Sequence, residues 1–262
     1  MSKQATSGKA DVYMRIRTAW DDDAPSYDLR PCHGTFSDRE RRAWRAILTK
    51  ALPAAQSPES LHVIDVGTGT GAMALLLAEM GHQVTGIDIS EGMLSQARVK
   101  ALRAGLKIDF LQANAAQLPF DPGTVDVVFS RHLFWTLPQP IRTLREWKRV
   151  VRPGGMVAVA DGWWVEPGAA MRRRRAIGSI VRRILPPRHK DHPGYAGLRD
   201  ELPVAAGVSA YSIRYYLDQA GLERLKVADL RAIRAAERHS LPPWYWIDRA
   251  RNTWLATGYK SI

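Results

Sequence analysis

The chain has 262 residues and a single cysteine, Cys32, which excludes an internal disulfide and a cysteine-built metal cluster and fits a reducing compartment. Lysine and arginine outnumber aspartate and glutamate 38 to 26, giving a formal charge of +12, so the partners are anionic or the basic surface is simply solvated. The length suits one domain, no apolar run reaches the ~20 residues of a membrane span, and Met1–Ala10 lacks a signal-peptide core, so a cytoplasmic protein is expected, with a disordered start over 1–12 and one domain over 13–262.

Residues 11–36 mix Trp20, Tyr27 and Phe36 with Asp21, Asp22 and Asp23, and predict no regular core element. Ser37-Asp38-Arg39-Glu40 has the form of a capping box, and Trp44, Ile47, Leu48 and Ala51 follow at helical spacing until Pro53. A strand at Leu61–Val66 runs into Gly67-Thr68-Gly69-Thr70-Gly71, and Ala72–Met80 then reads as a helix stopped by Gly81. Strand, glycine turn and helix in this order build a nucleotide-sized crevice at the edge of a parallel sheet, because glycine lets the backbone turn sharply and approach a ligand.

Gln83–Asp88 is a second strand, and Ser90 caps a helix carrying Met93, Leu94, Ala97 and Ala101, closed by Gly105. Lys107–Gln112 and Val125–Ser130 are the next strands. Pro140 opens a helix with a stripe at Ile141, Leu144, Trp147 and Val151, and Pro153-Gly154-Gly155 turns into a fifth strand, Met156–Asp161. From 166 to 208 the pattern breaks into a basic stretch with Arg172 to Arg175, Arg182, Arg183, Arg188, Lys190 and Arg199, either a cap over a substrate or a solvated helix. Regularity returns with a helix at Tyr211–Ala220, a strand at Leu222–Asp229, a helix at Ala232–His239 and a strand at Trp254–Tyr259. The alternation predicts an α/β fold, a Rossmann-like, seven-stranded, mostly parallel sheet with helices on both faces.

The glycine turn alone leaves the ligand open. Gly67-Thr68-Gly69-Thr70-Gly71-Ala72 also satisfies a loose dinucleotide pattern, with Asp88 ending the next strand, whereas a phosphate loop is excluded because no Gly-Lys-Ser/Thr follows. Four further features decide: Asp65 two residues before the first glycine; Asn114-Ala115-Ala116-Gln117-Leu118-Pro119-Phe120 after strand three; Asp126-Val127-Val128-Phe129-Ser130-Arg131-His132-Leu133 through strand four; and Val151-Arg152-Pro153-Gly154-Gly155 before strand five. In this register the chain resembles the class I S-adenosylmethionine-dependent methyltransferases. It is most similar to their small-molecule branch, which includes the ubiquinone and menaquinone C-methyltransferases. The likeness covers about residues 20–165 and, more loosely, the last two strands.

The resemblance implies S-adenosyl-L-methionine as cofactor and a role for each matching position. Gly67, Thr68, Gly69 and Gly71 form the turn around its amino acid and ribose. Asp65 engages the methionine ammonium, Asp88 the ribose hydroxyls, and Ile89 the adenine. Asn114, where the family often has Asp, and Ala115 read the adenine edge, and Ser130 and Arg131 hold the methionine portion. Trp20, Ala24, Tyr27 and Asp28 resemble an amino-terminal helical lid, and the basic segment 166–208 falls where related enzymes place a substrate cap. Direct in-line methyl transfer to a small-molecule acceptor, anionic or aromatic, is the implied reaction.

Any base for that reaction should project from the carboxyl ends of strands four and five or from the lid. His132, Asp161 and Tyr27 are the candidates, with His33 and Tyr211 behind them. His189, Asp191 and His192 lack a third strong ligand, so no metal is expected. The alternatives are an RNA methyltransferase using the basic surface, a non-catalytic cofactor-binding protein, and a nicotinamide oxidoreductase. The nucleic-acid reading is disfavoured because strand four lacks the Asn/Asp-Pro-Pro-aromatic signature and no nucleic-acid-binding module is added. Oligomeric state, acceptor and target atom stay open.

Overall fold

The computed structural model describes residues 2–30, 33–34, 36–53, 60–163, 197–241 and 252–262. Among these, seven strands form one sheet in the order β3-β2-β1-β4-β5-β7-β6. They are β1 (His62–Val66), β2 (Gln83–Asp88), β3 (Asp109–Gln112), β4 (Val125–Arg131), β5 (Val151–Trp163), β6 (Glu223–Asp229) and β7 (Asn252–Tyr259). β1 to β5 pair in parallel, and β7 is inserted antiparallel between β5 and β6. The helices are α1 (Ser2–Tyr27), α2 (Asp38–Ala51), α3 (Ala72–Glu79), α4 (Glu91–Arg103), α5 (Pro140–Val150), α6 (Ala210–Gln219) and α7 (Arg231–Ser240). No helix of the described residues is long and apolar enough to cross a membrane.

Side-chain alternation along the strands divides the core between the two sheet faces. Ile64, Val66, Val128, Val157 and Val159 pack with Leu144 and Trp147 of α5 and Ile213 and Leu217 of α6. Val63, Val84, Val127, Phe129 and Met156 pack with Trp44 and Leu48 of α2, Leu77 of α3, Leu94 and Ala97 of α4 and Ile233 of α7. Each fully buried side chain of this size contributes about 2–3 kcal/mol. The capping box of α2 is complete: Ser37 Oγ accepts the Glu40 N–H, and the Glu40 carboxylate accepts the Ser37 N–H at 2.9 Å. Ser90 likewise caps α4 by accepting the Met93 N–H at 3.0 Å.

Three expectations are corrected. Residues 11–36 do contain a regular element, because α1 runs through them to Tyr27, in keeping with the helical lid that the resemblance implies. Its stripe of Ile16, Trp20 and Ala24 is helical in period but interrupted by the three aspartates, which obscured it. The α5 stripe is Thr143, Leu144, Trp147 and Val150, with Ile141 only half-buried. Pro153-Gly154-Gly155 lies inside β5 rather than before it. Val125 pairs with Val151 and Val127 with Met156, so the extra residues are taken up as a bulge with Gly154 at φ +73°.

Residues 164–196, which hold most of the basic segment with His189, Asp191 and His192, lie outside the described residues, as do Cys32 and most of the tryptophan-rich stretch after Leu241. The end of the basic segment is described. Leu198 and Leu202 pack on Ile16 of α1, and Arg15 Nη1 pairs with Glu201 at 2.7 Å.

Candidate cofactor-binding site

A cleft opens at the carboxyl ends of β1, β2 and β4, where α1 passes over the sheet. This is the edge at which parallel α/β sheets place their ligands. Its floor is the glycine turn. Gly67, Gly69 and Gly71 have φ of +71°, +54° and +85°, which side-chain-bearing residues adopt at a cost of about 1–2 kcal/mol each. The Gly67 and Thr68 N–H groups both donate to the Ile87 carbonyl, at 2.7 and 2.9 Å, tying the turn to β2. A Cβ on Gly67 would come within 2.8 Å of the Leu133 side chain. One on Gly69 would lie 4.0 Å from the Tyr27 ring, so Gly69 presents bare backbone beneath the lid.

Asp88 ends β2 on the cleft wall. One carboxylate oxygen accepts the Gly69 N–H at 2.8 Å and the other the Ser90 N–H at 2.9 Å. Burial pushes its pKa up to about 6, against the pull of those amides. Asp65 is placed differently. It is buried behind the turn, accepting the Thr68 hydroxyl at 2.7 Å, and burial raises it to about 7. Alternation along β1 sends Val66 to the cleft and Asp65 toward α3, so Asp65 and Thr68 brace the turn and do not form the wall. Gly71 also lies off the wall, as the left-handed N-cap of α3.

Ile89, Asn114 and Ala115 line the wall beside Asp88. Their loop is held from α5: Trp147 Nε1 donates to the Ala115 carbonyl at 3.0 Å, and the Glu146 carboxylate accepts the Leu118 N–H at 2.8 Å. Asn114 Oδ1 accepts the Ala116 N–H at 2.9 Å, which orients the amide and leaves its two NH₂ donors for a ligand along with one oxygen lone pair.

At the end of β4, Arg131 and His132 reach the wall and Ser130 does not, being buried within the sheet. Arg131 donates to the His33 carbonyl at 3.1 Å and lies 5.0 Å over the Phe36 ring, a cation–π contact. His132 has φ +59°, a left-handed conformation that turns the chain sharply out of the strand. Its Nδ1 is 4.0 Å from Asp161 Oδ1. Asp161 itself is buried off the wall, accepting the Phe134 and Gly162 N–H groups at 2.9 and 2.8 Å, and burial raises it to about 7. It lies off this wall and holds the loop that carries His132.

The lid side consists of Tyr13, Ile16, Trp20 and Tyr27 of α1, one helical stripe. Burial pushes the Tyr27 phenol up to about 12. The Trp20 and Tyr27 rings meet edge-on at 6.0 Å, and His33 meets Tyr27 edge-on at 5.3 Å without reaching the wall. Ala24 packs toward Gly92, and Asp28 hydrogen-bonds to Thr70. Tyr211 is 87% exposed on α6 and belongs to no site described here, since its helix buries Ile213 and Leu217 instead. Tyr13, Ile16, Leu133, Thr136, Leu137 and Pro138 line the cleft without having been singled out in the sequence. The spacing of Tyr13, Ile16, Trp20 and Tyr27 was the signal available for the first two.

A methyltransferase-domain family model matches residues 64–159. The demethylmenaquinone methyltransferase of Thermus thermophilus is 36% identical over 140 residues, which are 53% of this chain and 61% of that protein. The ubiquinone biosynthesis O-methyltransferase of Pseudomonas aeruginosa is 38% identical over 96 residues, 36% of this chain and 41% of that one. The chain thus spans less than two thirds of the curated relatives it matches. Among solved structures, the [4+2]-cyclase SpnF superposes with a TM-score of 0.63 at 20% identity, covering 94% of this chain and 96% of that one. A phosphoethanolamine N-methyltransferase of Haemonchus contortus in complex with S-adenosyl-L-methionine gives 0.62 at 16% identity, covering 92% and 57%. The chain has the Rossmann-like methyltransferase fold, and its residues 64–159 match the methyltransferase-domain family.

Proposed function

We propose that the cleft binds S-adenosyl-L-methionine and that the chain transfers a methyl group to a small-molecule acceptor. The observation that carries this is the pairing of Asp88 with the bare glycine turn. The two Asp88 oxygens accept the Gly69 and Ser90 N–H groups, with the Ile89 amide also acting on the carboxylate, and the group still faces the cleft as a charged acceptor of the kind that the adjacent hydroxyls of a ribose suit. Gly69 keeps open the space that a Cβ would fill. The residues fit the cofactor: Ile89 against the adenine, Asn114 donating to a ring nitrogen, Tyr27 above, and Arg131 toward the methionine end. Asp65 contributes by bracing the turn through Thr68.

When bound, S-adenosyl-L-methionine supplies an activated methyl group on a sulfonium. The chain's own part is to align the acceptor and keep water out. His132, on the wall at the exit of β4, takes the proton of an acceptor hydroxyl or ammonium. Asp161, 4.0 Å behind it, positions it by pinning the Phe134 N–H. Tyr27 covers the cofactor, and because burial pushes its phenol up to about 12 it is no base at neutral pH. The rest of the wall is apolar or aromatic, from Ile16 and Trp20 to Leu133 and Leu137, which favours an acceptor with an apolar or aromatic body over a nucleic acid. The names of the quinone-pathway relatives support the same class. The end of the basic segment lies against α1, consistent with a cap over the acceptor. One cysteine in 262 residues supports a reducing, cytoplasmic setting.

A specific observation also favours a second reading. SpnF, a neighbour over nearly the whole chain, is a [4+2]-cyclase, so a function other than methyl transfer is compatible with this fold. Incubation with methyl-labelled cofactor and separate panels of phenols, hydroquinones, amines and RNA oligonucleotides tests both. Label in a small acceptor, abolished by Asp88→Ala, is the expected result. Label in RNA, or cofactor binding with no transfer to any panel, contradicts the proposal.

A further inference from the structure

Lys100, on α4, lies away from the cleft wall, yet its ammonium joins three parts of the molecule. Nζ donates to Asp28 Oδ2 at 2.7 Å, to the Gly34 carbonyl at 2.8 Å and to Thr70 Oγ1 at 2.9 Å. Its three donors thus meet three acceptors, a complete set for an ammonium group. Thr70 in turn donates to Asp28 Oδ1 at 2.5 Å. Asp28 directly follows Tyr27, Gly34 lies in the segment leading out of the lid, and Thr70 belongs to the glycine turn. The cluster leaves no room for change: a Cβ on Gly34 would sit 1.5 Å from Asp28 Oδ1 and 2.4 Å from Thr70 Oγ1. A second tie lies two helical turns earlier, where the Asp21 carboxylate accepts the Ser90 hydroxyl at 2.6 Å and the Gly92 N–H at 3.0 Å at the start of α4.

We propose that Lys100, with Asp28 and Thr70, is a latch that locks Tyr27 over the glycine turn and so sets how fast the cofactor product leaves. It rests on the reading of the cleft as an S-adenosylmethionine site. Lys100 is a positioning residue: it touches no ligand and acts through Asp28 on the lid. Because the latch joins the lid to the floor, opening the cleft requires breaking charge-assisted hydrogen bonds that are only partly exposed. Entry and exit pass through the same opening, so breaking the latch speeds dissociation and does not slow association.

The test is stopped-flow dissociation and association of S-adenosylhomocysteine from the full chain, with thermal midpoints of the ligand-free proteins measured in parallel. Lys100→Met and Gly34→Ala should each speed dissociation about tenfold, with association no slower than in the wild type. Adding Asp28→Asn to Lys100→Met should add little, because the two act as one unit. Gly34→Ala keeps every latch residue and serves if Lys100→Met does not fold. Wild-type binding with unchanged dissociation in both variants overturns the latch alone. Slower association with a lowered midpoint also overturns it, because that reports a fold-supporting role. A wild-type protein that binds no S-adenosylhomocysteine overturns the cofactor reading, and the latch with it.

Discussion

The two sides of the cleft are built by different means. The sheet side, from Gly67 and Gly69 through Asp88 to Asn114 and Ala115, is backbone and short side chains at strand ends, each fixed by hydrogen bonds to β2, α4 or α5. The lid side, from Tyr13 to Tyr27, is a stripe of large side chains on one helix, tied to the floor by side-chain contacts such as those of Asp28 and Asp21. A rigid sheet edge suits a cofactor of constant shape, and a helix on polar ties suits a wall that must open for exchange. Changes on the sheet side should therefore cost the most affinity, and changes on the lid side should show first in the rates of exchange.

The largest effect expected is from Asp88→Ala. Removing an acceptor for two hydroxyls, each charge-assisted hydrogen bond contributing roughly 1.5–3 kcal/mol, should weaken S-adenosylhomocysteine binding by about 3 kcal/mol, on the order of a hundredfold in a calorimetric titration. Equal affinity in the variant would break the contrast between the two walls. Next, Gly67→Ala places a Cβ 2.8 Å from Leu133 at φ +71° and should lower stability by about 2 kcal/mol in denaturant unfolding.

The pH dependence sharpens the contrast further. Burial holds the unliganded Asp88 near 6, and hydroxyl donors favour its ionised form, so its pKa falls on binding. Affinity should be full above that value and decline as pH drops through 6 toward 5, and the decline should be absent in Asp88→Asn. Stability runs the other way. Asp65, Asp88 and Asp161 all have folded-state pKa values above the ordinary ~3.9, so the unfolded chain loses these protons first. Their contribution is present in full below about pH 4 and is lost as pH rises toward 7, which the pH dependence of the unfolding midpoint checks. The smallest effect is expected from Tyr211→Ala, within about 0.5 kcal/mol of wild-type stability and with unchanged turnover, because the ring is 87% exposed far from the stripe of α1.

The same contrast explains what could be read in the sequence. Sheet-side positions were legible because their chemistry is tied to the chain's own register: glycines at alternate positions after a strand, an acid at the next strand end, Asn-Ala after the third. Within that register, alternation was the part left unused. It sends Asp65 and Ser130 to the interior while their neighbours Val66 and Arg131 reach the cleft. On the lid side the resemblance implied a helical lid at Trp20 and Tyr27, but the extent of the helix was not legible from periodicity, because Asp21 to Asp23 and Pro25 read as irregular. Those acids turned out to act in tertiary contacts, Asp21 on α4 and Asp23 with Arg30, whose partners lie too far along the chain or in too irregular a stretch for periodicity to show. Lys100 carried no sequence signal, since its three acceptors come from separate segments that only the fold brings together.

A crystal structure of the chain with S-adenosylhomocysteine tests the central claim most directly. The account predicts the ribose hydroxyls within hydrogen-bonding distance of the Asp88 carboxylate, the adenine between Ile89 and Ala115, and the Tyr27 ring closed above Gly69. A ligand bound elsewhere, or one in the cleft whose ribose makes no contact with Asp88, would contradict it.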